Sequence, residues 1–293
     1  MLKAMSSLQE RRYRSTSTFI QRYFFLLLSI MLSHVLTAQI GGPNGSGQWS
    51  PVYDMPLIAV AMANLPDGKV LCWSAKDRDG FGGGGNRTYT SVYDPSDNSF
   101  TDVLVTVTGH DMFCPGTNNL ADGRLLVAGG QNSEKTSIYD WQTESWISGP
   151  AMKIPRGYQG NATLADGSLF TIGGSWSGGR GNKDGEVYTE AGGWRLLSNV
   201  KASQTVEEGT QGYSGEGVYR TDNHAWVWEA PNGRVFHAGP GEQMHWIDVV
   251  GNGNGDDAGA RGTDEYSMNG SAVMYDIGKI FKTGGAVSYA SND

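Results

Sequence analysis

The sequence predicts an all-β fold built from one small sheet repeated along the chain. Three observations predict it. The first is composition: of 293 residues, 43 are glycine, nine tryptophan and thirteen tyrosine, and only 18% are charged. That mix suits strands joined by tight turns and excludes a helical bundle or a disordered chain. The second is a recurring unit, in which Asp-Gly or a similar pair leads into a short apolar run and then a glycine pair. The third is a tyrosine followed by tryptophan or phenylalanine downstream of several of these units.

Taken in order, Asp67-Gly68 leads into Lys69-Val70-Leu71-Cys72-Trp73. Asp122-Gly123 leads into a run ending at Gly129-Gly130, and Asp166-Gly167 into one ending at Gly173-Gly174. Asn232-Gly233 leads into one ending at Gly239-Pro240, and Ile277-Gly278 into one ending at Gly284-Gly285. The turn glycines are spaced 55, 44, 66 and 45 residues apart. Asp-Gly and Asn-Gly favour two-residue hairpin turns. Each apolar run is strand-sized and uninterrupted, as expected of an inner strand buried on both faces. Three further segments read as additional strands closed by an aromatic: Ser91-Val92-Tyr93-Asp94 with Phe100, Ser137-Ile138-Tyr139-Asp140 with Trp146, and Glu186-Val187-Tyr188 with Trp194. A period of about 45–50 residues with these marks is the signature of a kelch-type β-propeller blade. Residues 49–293 are therefore predicted to form a partial kelch β-propeller that stops within a blade. Residues 201–219 and the Gly/Asn/Asp-rich stretch 251–262 are expected to be insertions between strands.

Residues 1–38 read as an export signal. Lys3, Arg11, Arg12, Arg14 and Arg22 precede an apolar run from Tyr23 to Leu36, and Thr37-Ala38 then offers small residues. The run is too short for a membrane span and suits a signal core. Residues 39–48 read as a linker. A secreted, extracellular or periplasmic protein is expected, with no membrane attachment once the signal is removed. The chain carries a net charge of −8. Beyond the signal, 17 basic residues stand against 29 acidic ones, a net −12. Such a surface argues against nucleic acid as a partner. A monomer acting on a small neutral or cationic substrate is the expectation.

Three stretches concentrate chemistry. Cys114 lies in Asp111-Met112-Phe113-Cys114-Pro115-Gly116, where proline and glycine hold a thiol on a turn. Tyr158 lies in Arg156-Gly157-Tyr158-Gln159. Trp176 lies in Gly173-Gly174-Ser175-Trp176-Ser177-Gly178-Gly179, expected to be an exposed, flexible loop. The blade register puts all three on one face of consecutive blades. Read singly, each residue is structural: a thiol acting as a small hydrophobe, or a packed aromatic. Together they place a thiol, a phenol and an indole where they can meet. Cys72 and Cys114 are the two cysteines, and pairing between them is a further reading.

These motifs resemble those of the galactose oxidase family, copper radical oxidases built on a seven-bladed kelch propeller. The resemblance extends to Tyr219-Arg220-Thr221-Asp222-Asn223-His224-Ala225-Trp226 and runs from about Trp49 to Gly285. The intervals agree, with 44 residues from Cys114 to Tyr158 and 18 from Tyr158 to Trp176. The family's roles then imply a Cys114–Tyr158 thioether, with modified Tyr158 as copper ligand and radical seat, and Trp176 stacked over the pair. They also imply Arg220 as a hydrogen-bond donor to a sugar, with Phe81 and His224 at the substrate rim. The thioether rules out a Cys72–Cys114 disulfide. The implied reaction takes a primary alcohol, a sugar C6 hydroxyl or similar, to an aldehyde while dioxygen becomes hydrogen peroxide.

The resemblance stops short of a full metal site. The family places a second tyrosine next to a histidine ligand, yet none of His34, His110, His224, His237 and His245 follows a tyrosine. The copper ligands other than Tyr158 are expected to lie outside this chain, which is expected to be inactive alone. His110 is expected to hold the Cys114 loop. Two other readings stay open: a non-catalytic kelch propeller that binds a protein or glycan, and an aldehyde oxidase of the glyoxal oxidase type.

Overall fold

The computed structural model describes residues 51–81, 84–208, 221–262 and 266–286. The chain divides into two compact units, 1–53 and 54–293. The expected signal and linker lie in the first unit, outside the described residues. Every strand and sheet described here belongs to the second.

That unit is all-β. Its first sheet is β1 (Ala61–Asn64), β2 (Val70–Trp73), β3 (Thr88–Asp94) and β4 (Ser99–Val105), antiparallel and in chain order. The second repeats this plan with β5 (Gly116–Asn119), β6 (Leu125–Ala128), β7 (Thr136–Asp140) and β8 (Ser145–Ser148). The third has β9 (Gly160–Thr163), β10 (Leu169–Ile172), β11 (Glu186–Thr189) and β12 (Gly193–Leu196). The fourth has β13 (Trp226–Glu229), β14 (Val235–Gly239), β15 (Gln243–Asp248) and β16 (Asn254–Ala260), and a hairpin of β17 (Ser271–Asp276) and β18 (Lys279–Thr283) follows. The apolar runs are the second strands of these sheets, paired on both edges in the four-stranded ones.

The packing explains why those runs are uninterrupted. In β6, Leu125 and Val127 pack with Leu71 and Trp73 of the first sheet, while Leu126 and Ala128 pack with Leu169 of the third. In β10, Leu169 faces back to the second sheet, and Phe170 and Ile172 face Val227 and Val235 of the fourth. Alternate residues thus point to opposite faces, and each face meets a neighbouring sheet. Burying each such side chain contributes about 1.5–3 kcal/mol. Sheets stacked face to face in chain order are the arrangement of propeller blades. The aromatic pairs clamp third strands to fourth: Tyr93 to Phe100 at 5.0 Å, Tyr139 to Trp146 at 5.2 Å, and Tyr188 to Trp194 at 5.3 Å.

Two local expectations are corrected. The Asp-Gly turns of the four-stranded sheets are not two-residue loops. In the first, Leu65 N–H bonds to the Lys69 carbonyl and Gly68 N–H to the Leu65 carbonyl, and Gly68 takes φ 87°. Leu120–Arg124, Leu164–Ser168 and Ala230–Arg234 repeat both bonds. This is a three-residue loop with a left-handed glycine, and the Asp or Asn before that glycine accepts the N–H two residues on, at 2.9–3.2 Å. Only Ile277-Gly278 is a two-residue turn, between the paired Asp276 and Lys279. Second, the stretch 251–262 is not an insertion loop. It contains β16, which completes the fourth sheet against β15 because backbone pairing does not need apolar side chains. Of the stretch 201–219, residues 201–208 carry a 3-10 turn at Ala202–Gln204, and the rest lies outside the described residues.

Candidate active site

Cys114 immediately precedes the Pro115-Gly116 entry to β5, Tyr158 precedes β9, Trp176 follows β10, and His224 precedes β13. All four sit at the same end of three successive sheets. Their backbones form a row. Tyr158 N–H donates to the Cys114 carbonyl at 3.1 Å, and His224 N–H donates to the Tyr158 carbonyl at 2.8 Å. All three linked residues are left-handed, with φ 55° at Cys114, 65° at Tyr158 and 57° at His224. Non-glycine residues rarely hold this conformation, and clusters of it mark functional sites.

The glycine pairs explain how the loops come so close. A Cβ on Gly130 would collide with the Phe113 carbonyl, and one on Gly129 with the Arg156 carbonyl. Gly130 N–H meanwhile bonds to the Arg156 carbonyl and Gln131 N–H to the Phe113 carbonyl. The ends of β6 and β10 are therefore sockets for neighbouring loops, and only glycine leaves them open.

Side chains then converge. Burial pushes the Cys114 thiol up to about 11, and the nearby Tyr158 hydroxyl acts in the opposite direction. Neither cysteine is in a disulfide; Cys72 is buried in β2, where its thiol donates to the Ser91 carbonyl. Trp176 lies 5.1 Å from Tyr158 between ring centroids, at an interplanar angle of 66°. It meets the phenol edge-on, which corrects the expected stacked geometry. His224 also meets Tyr158 edge-on, at 4.9 Å and 86°. Burial holds its imidazole down to about 4. Phe81 stacks on Phe113 at 5.2 Å and 14°, one residue before Cys114, and keeps 37% of its surface exposed. Arg220 and His34 lie outside the described residues.

The tryptophan loop is anchored, against the expectation of a flexible one. Ser175 donates from its N–H and its hydroxyl to the Asp222 carboxylate, at 2.9 and 2.6 Å. Trp176 N–H donates to Asn223 Oδ1 at 3.2 Å, and Ser177 Oγ to the Gly130 carbonyl at 2.7 Å. The buried Lys183 ammonium holds the carbonyls of Pro155, Ser177 and Gly178. Below Tyr158, Arg156 is fully buried and pairs with Glu186 at 2.8 Å, and it also donates to the carbonyls of Gly173, Lys183 and Asp184. Sequence reading missed Asp222, Asn223, Lys183 and Glu186, because their partners lie 5–47 residues away. The available signals were Lys183 and Glu186 flanking Asp184-Gly185, and Asp222-Asn223 just before His224.

His110 holds the Cys114 loop. Its rings' nitrogens reach Ser137 Oγ at 2.9 Å and the Gly129 carbonyl at 2.8 Å. The carbonyl can only accept, so Nε2 carries the proton and Nδ1 accepts from the serine. His237 and His245 are a cross-strand pair away from this row, with Nδ1 atoms 3.1 Å apart, nearly coplanar rings, and Glu208 on the outer nitrogen of His245. The two Nδ1 atoms share a hydrogen bond, one donating and the other accepting.

Tyr158 offers an oxygen donor of the kind copper(II) accepts. Among the described residues no group of three or more His, Cys, Asp or Glu could hold a metal ion.

No family model matches the chain. It is 45% identical to a galactose oxidase of Gibberella zeae over 258 residues, which are 85% of this chain and 37% of that protein. A solved fungal alcohol oxidase, described as showing catalytic diversity among the AA5 family and in complex with copper, superposes with a TM-score of 0.77 at 41% identity. That match covers 84% of this chain and 51% of the other. The chain is thus similar to galactose oxidase along most of its length while spanning about half or less of these relatives.

Proposed function

We propose that this chain is the part of a copper radical oxidase of the galactose oxidase type that carries the radical-bearing side of the active site. The observation that carries the reading is the backbone hydrogen bond that joins Tyr158 to Cys114, with the Tyr158 hydroxyl near enough to act on the thiol's pKa. The similarity to galactose oxidase and to a copper-bound alcohol oxidase supports it. The substrate in this reading is a primary alcohol, a sugar C6 hydroxyl or similar, converted to an aldehyde with dioxygen reduced to hydrogen peroxide. The protein is a secreted kelch-type propeller, exported by residues 1–38 and joined to them by 39–48, and acts as a monomer.

The chain's own residues have distinct tasks. Cys114 Sγ bonds the ring carbon of Tyr158 next to the hydroxyl: the S–H and ring C–H bonds break, and dioxygen takes the two electrons and two protons to become hydrogen peroxide. The sulfur donates electron density, so the ring gives up one electron more easily. Alcohol oxidation removes two electrons, and the modified ring is one of the two stores required. Trp176 covers an edge of the ring and limits access of water and reductants. Phe81 and Phe113 form an apolar wall beside the site, and Arg220 offers a planar, permanently charged donor to paired sugar oxygens. Copper, which Tyr158 would help to hold, would supply the second one-electron store when bound. These 293 residues alone are expected to bind copper weakly and to turn over no alcohol; tight one-to-one copper binding with alcohol-dependent peroxide would contradict that.

Intact mass of the full-length protein tests the reading. The mass is expected to fall two hydrogens below that of the sequence, and Tyr158→Phe is expected to restore them. An unmodified mass in copper-exposed protein would sink it.

A further inference from the structure

We infer that Asp222 is a positioning residue that sets Trp176 against Tyr158. The segment Asp222-Asn223-His224 touches both aromatic partners at once. The Asp222 carbonyl accepts Gly174 N–H at 3.0 Å, and its two carboxylate oxygens accept the N–H and the hydroxyl of Ser175. Asn223 Oδ1 accepts the N–H of Trp176 itself. His224 N–H then holds the Tyr158 carbonyl, and its ring lies edge-on to the phenol. The indole and the phenol come from different parts of the third sheet, yet both are referenced to three consecutive residues leading into the fourth.

A carboxylate is required at the first of these positions. Ser175 presents two donors side by side, and only a carboxylate accepts both with equal geometry. Ser175 Oγ also accepts Gly181 N–H at 2.8 Å, so its own proton has to go to Asp222. An amide would turn an N–H₂ toward that hydroxyl and leave its proton without an acceptor. Asp222, Asn223 and Ser175 are all buried, so water cannot replace a lost partner. Gly173 closes the arrangement, because a Cβ there would run into the Asp222 carbonyl.

The consequence for chemistry rests on Tyr158 being the modified radical site; the positioning does not. Oxidative labelling of tryptophans in the full-length protein, read by peptide mass spectrometry, tests it. Asp222→Ala is expected to raise the labelling rate of Trp176 about tenfold by freeing the loop, with Asp222→Asn partly restoring the native rate. Trp73 and Trp194, buried in the first and third sheets, are expected to keep their rates. Should Asp222→Ala fail to fold, Ser175→Ala, which removes one of the two bonds, is expected to raise the Trp176 rate alone by a smaller factor. An unchanged Trp176 rate, or an equal rise at all three tryptophans, overturns the inference. A wild-type protein lacking the two-hydrogen mass loss instead overturns the proposed function and leaves the positioning intact.

Discussion

Tyr158 and Cys114 are joined through the backbone: the Tyr158 N–H donates to the Cys114 carbonyl at 3.1 Å. Two left-handed residues, 44 positions apart, are thereby held side by side, and the Tyr158 hydroxyl acts on the thiol against the effect of burial.

Thiol counting follows from that contact. In the native protein no thiol is expected to react, since burial pushes Cys72 up to about 11 and the proposed thioether would consume Cys114. After denaturation, a disulfide reagent is expected to find one thiol, from Cys72. Two thiols would mean that no cross-link had formed.

Gly173→Ala tests the socket. Gly173 holds φ 77°, and the added methyl would enter the Asp222 carbonyl. A loss of about 3 kcal/mol or more in unfolding free energy is expected, read from denaturant midpoints. Gly233→Ala has the same sign of φ but open space around the Cβ, and is expected to cost about 1 kcal/mol.

Arg156 and Arg124 separate a buried charge from a surface one. Arg156→Met leaves Glu186 buried without its cation and is expected to cost about 3–5 kcal/mol. Arg124→Met, at the exposed pair with Asp122 and Glu190, is expected to stay within about 1 kcal/mol. Comparable losses in thermal or urea unfolding would remove the distinction.

His110 confers a pH dependence. Burial holds it down to about 4, with Lys135 lowering it further and the Gly129 carbonyl pulling the other way. The unfolded chain binds this proton near the ordinary value of about 6.5, so between those two values the unfolded state holds more protons. Stability is expected to be full above about pH 6.5 and to fall by about 3 kcal/mol as pH drops to about 4. His110→Gln should flatten that part of a urea-midpoint profile; an unchanged slope would assign it to other groups.

Much of the fold is legible because its signals are local. Asp122-Gly123 announces a turn through glycine's access to positive φ, and Leu125 to Ala128 announce a strand covered on both faces. The strand β16 is not legible, since Asn254-Gly255-Asp256-Asp257 looks like a loop until β15 supplies its partner. In the site, Cys114, Tyr158 and Trp176 are visible as motifs. Their contacts with Asp222, Asn223 and Lys183 are not, because hydrogen bonds across sheets leave no periodic trace.

By itself, then, the sequence determined the repeat, the turn positions, the inner strands and the three residue types that converge. Each of those depends on chemistry within a few residues: backbone freedom at glycine, alternation along a strand, a thiol fixed beside proline. The tertiary structure alone decided the three-residue form of the turns, the edge-on approach of Trp176 and the anchoring of its loop. Those depend on atoms from different sheets competing for the same few ångströms, and only the packed chain determines which atoms they are.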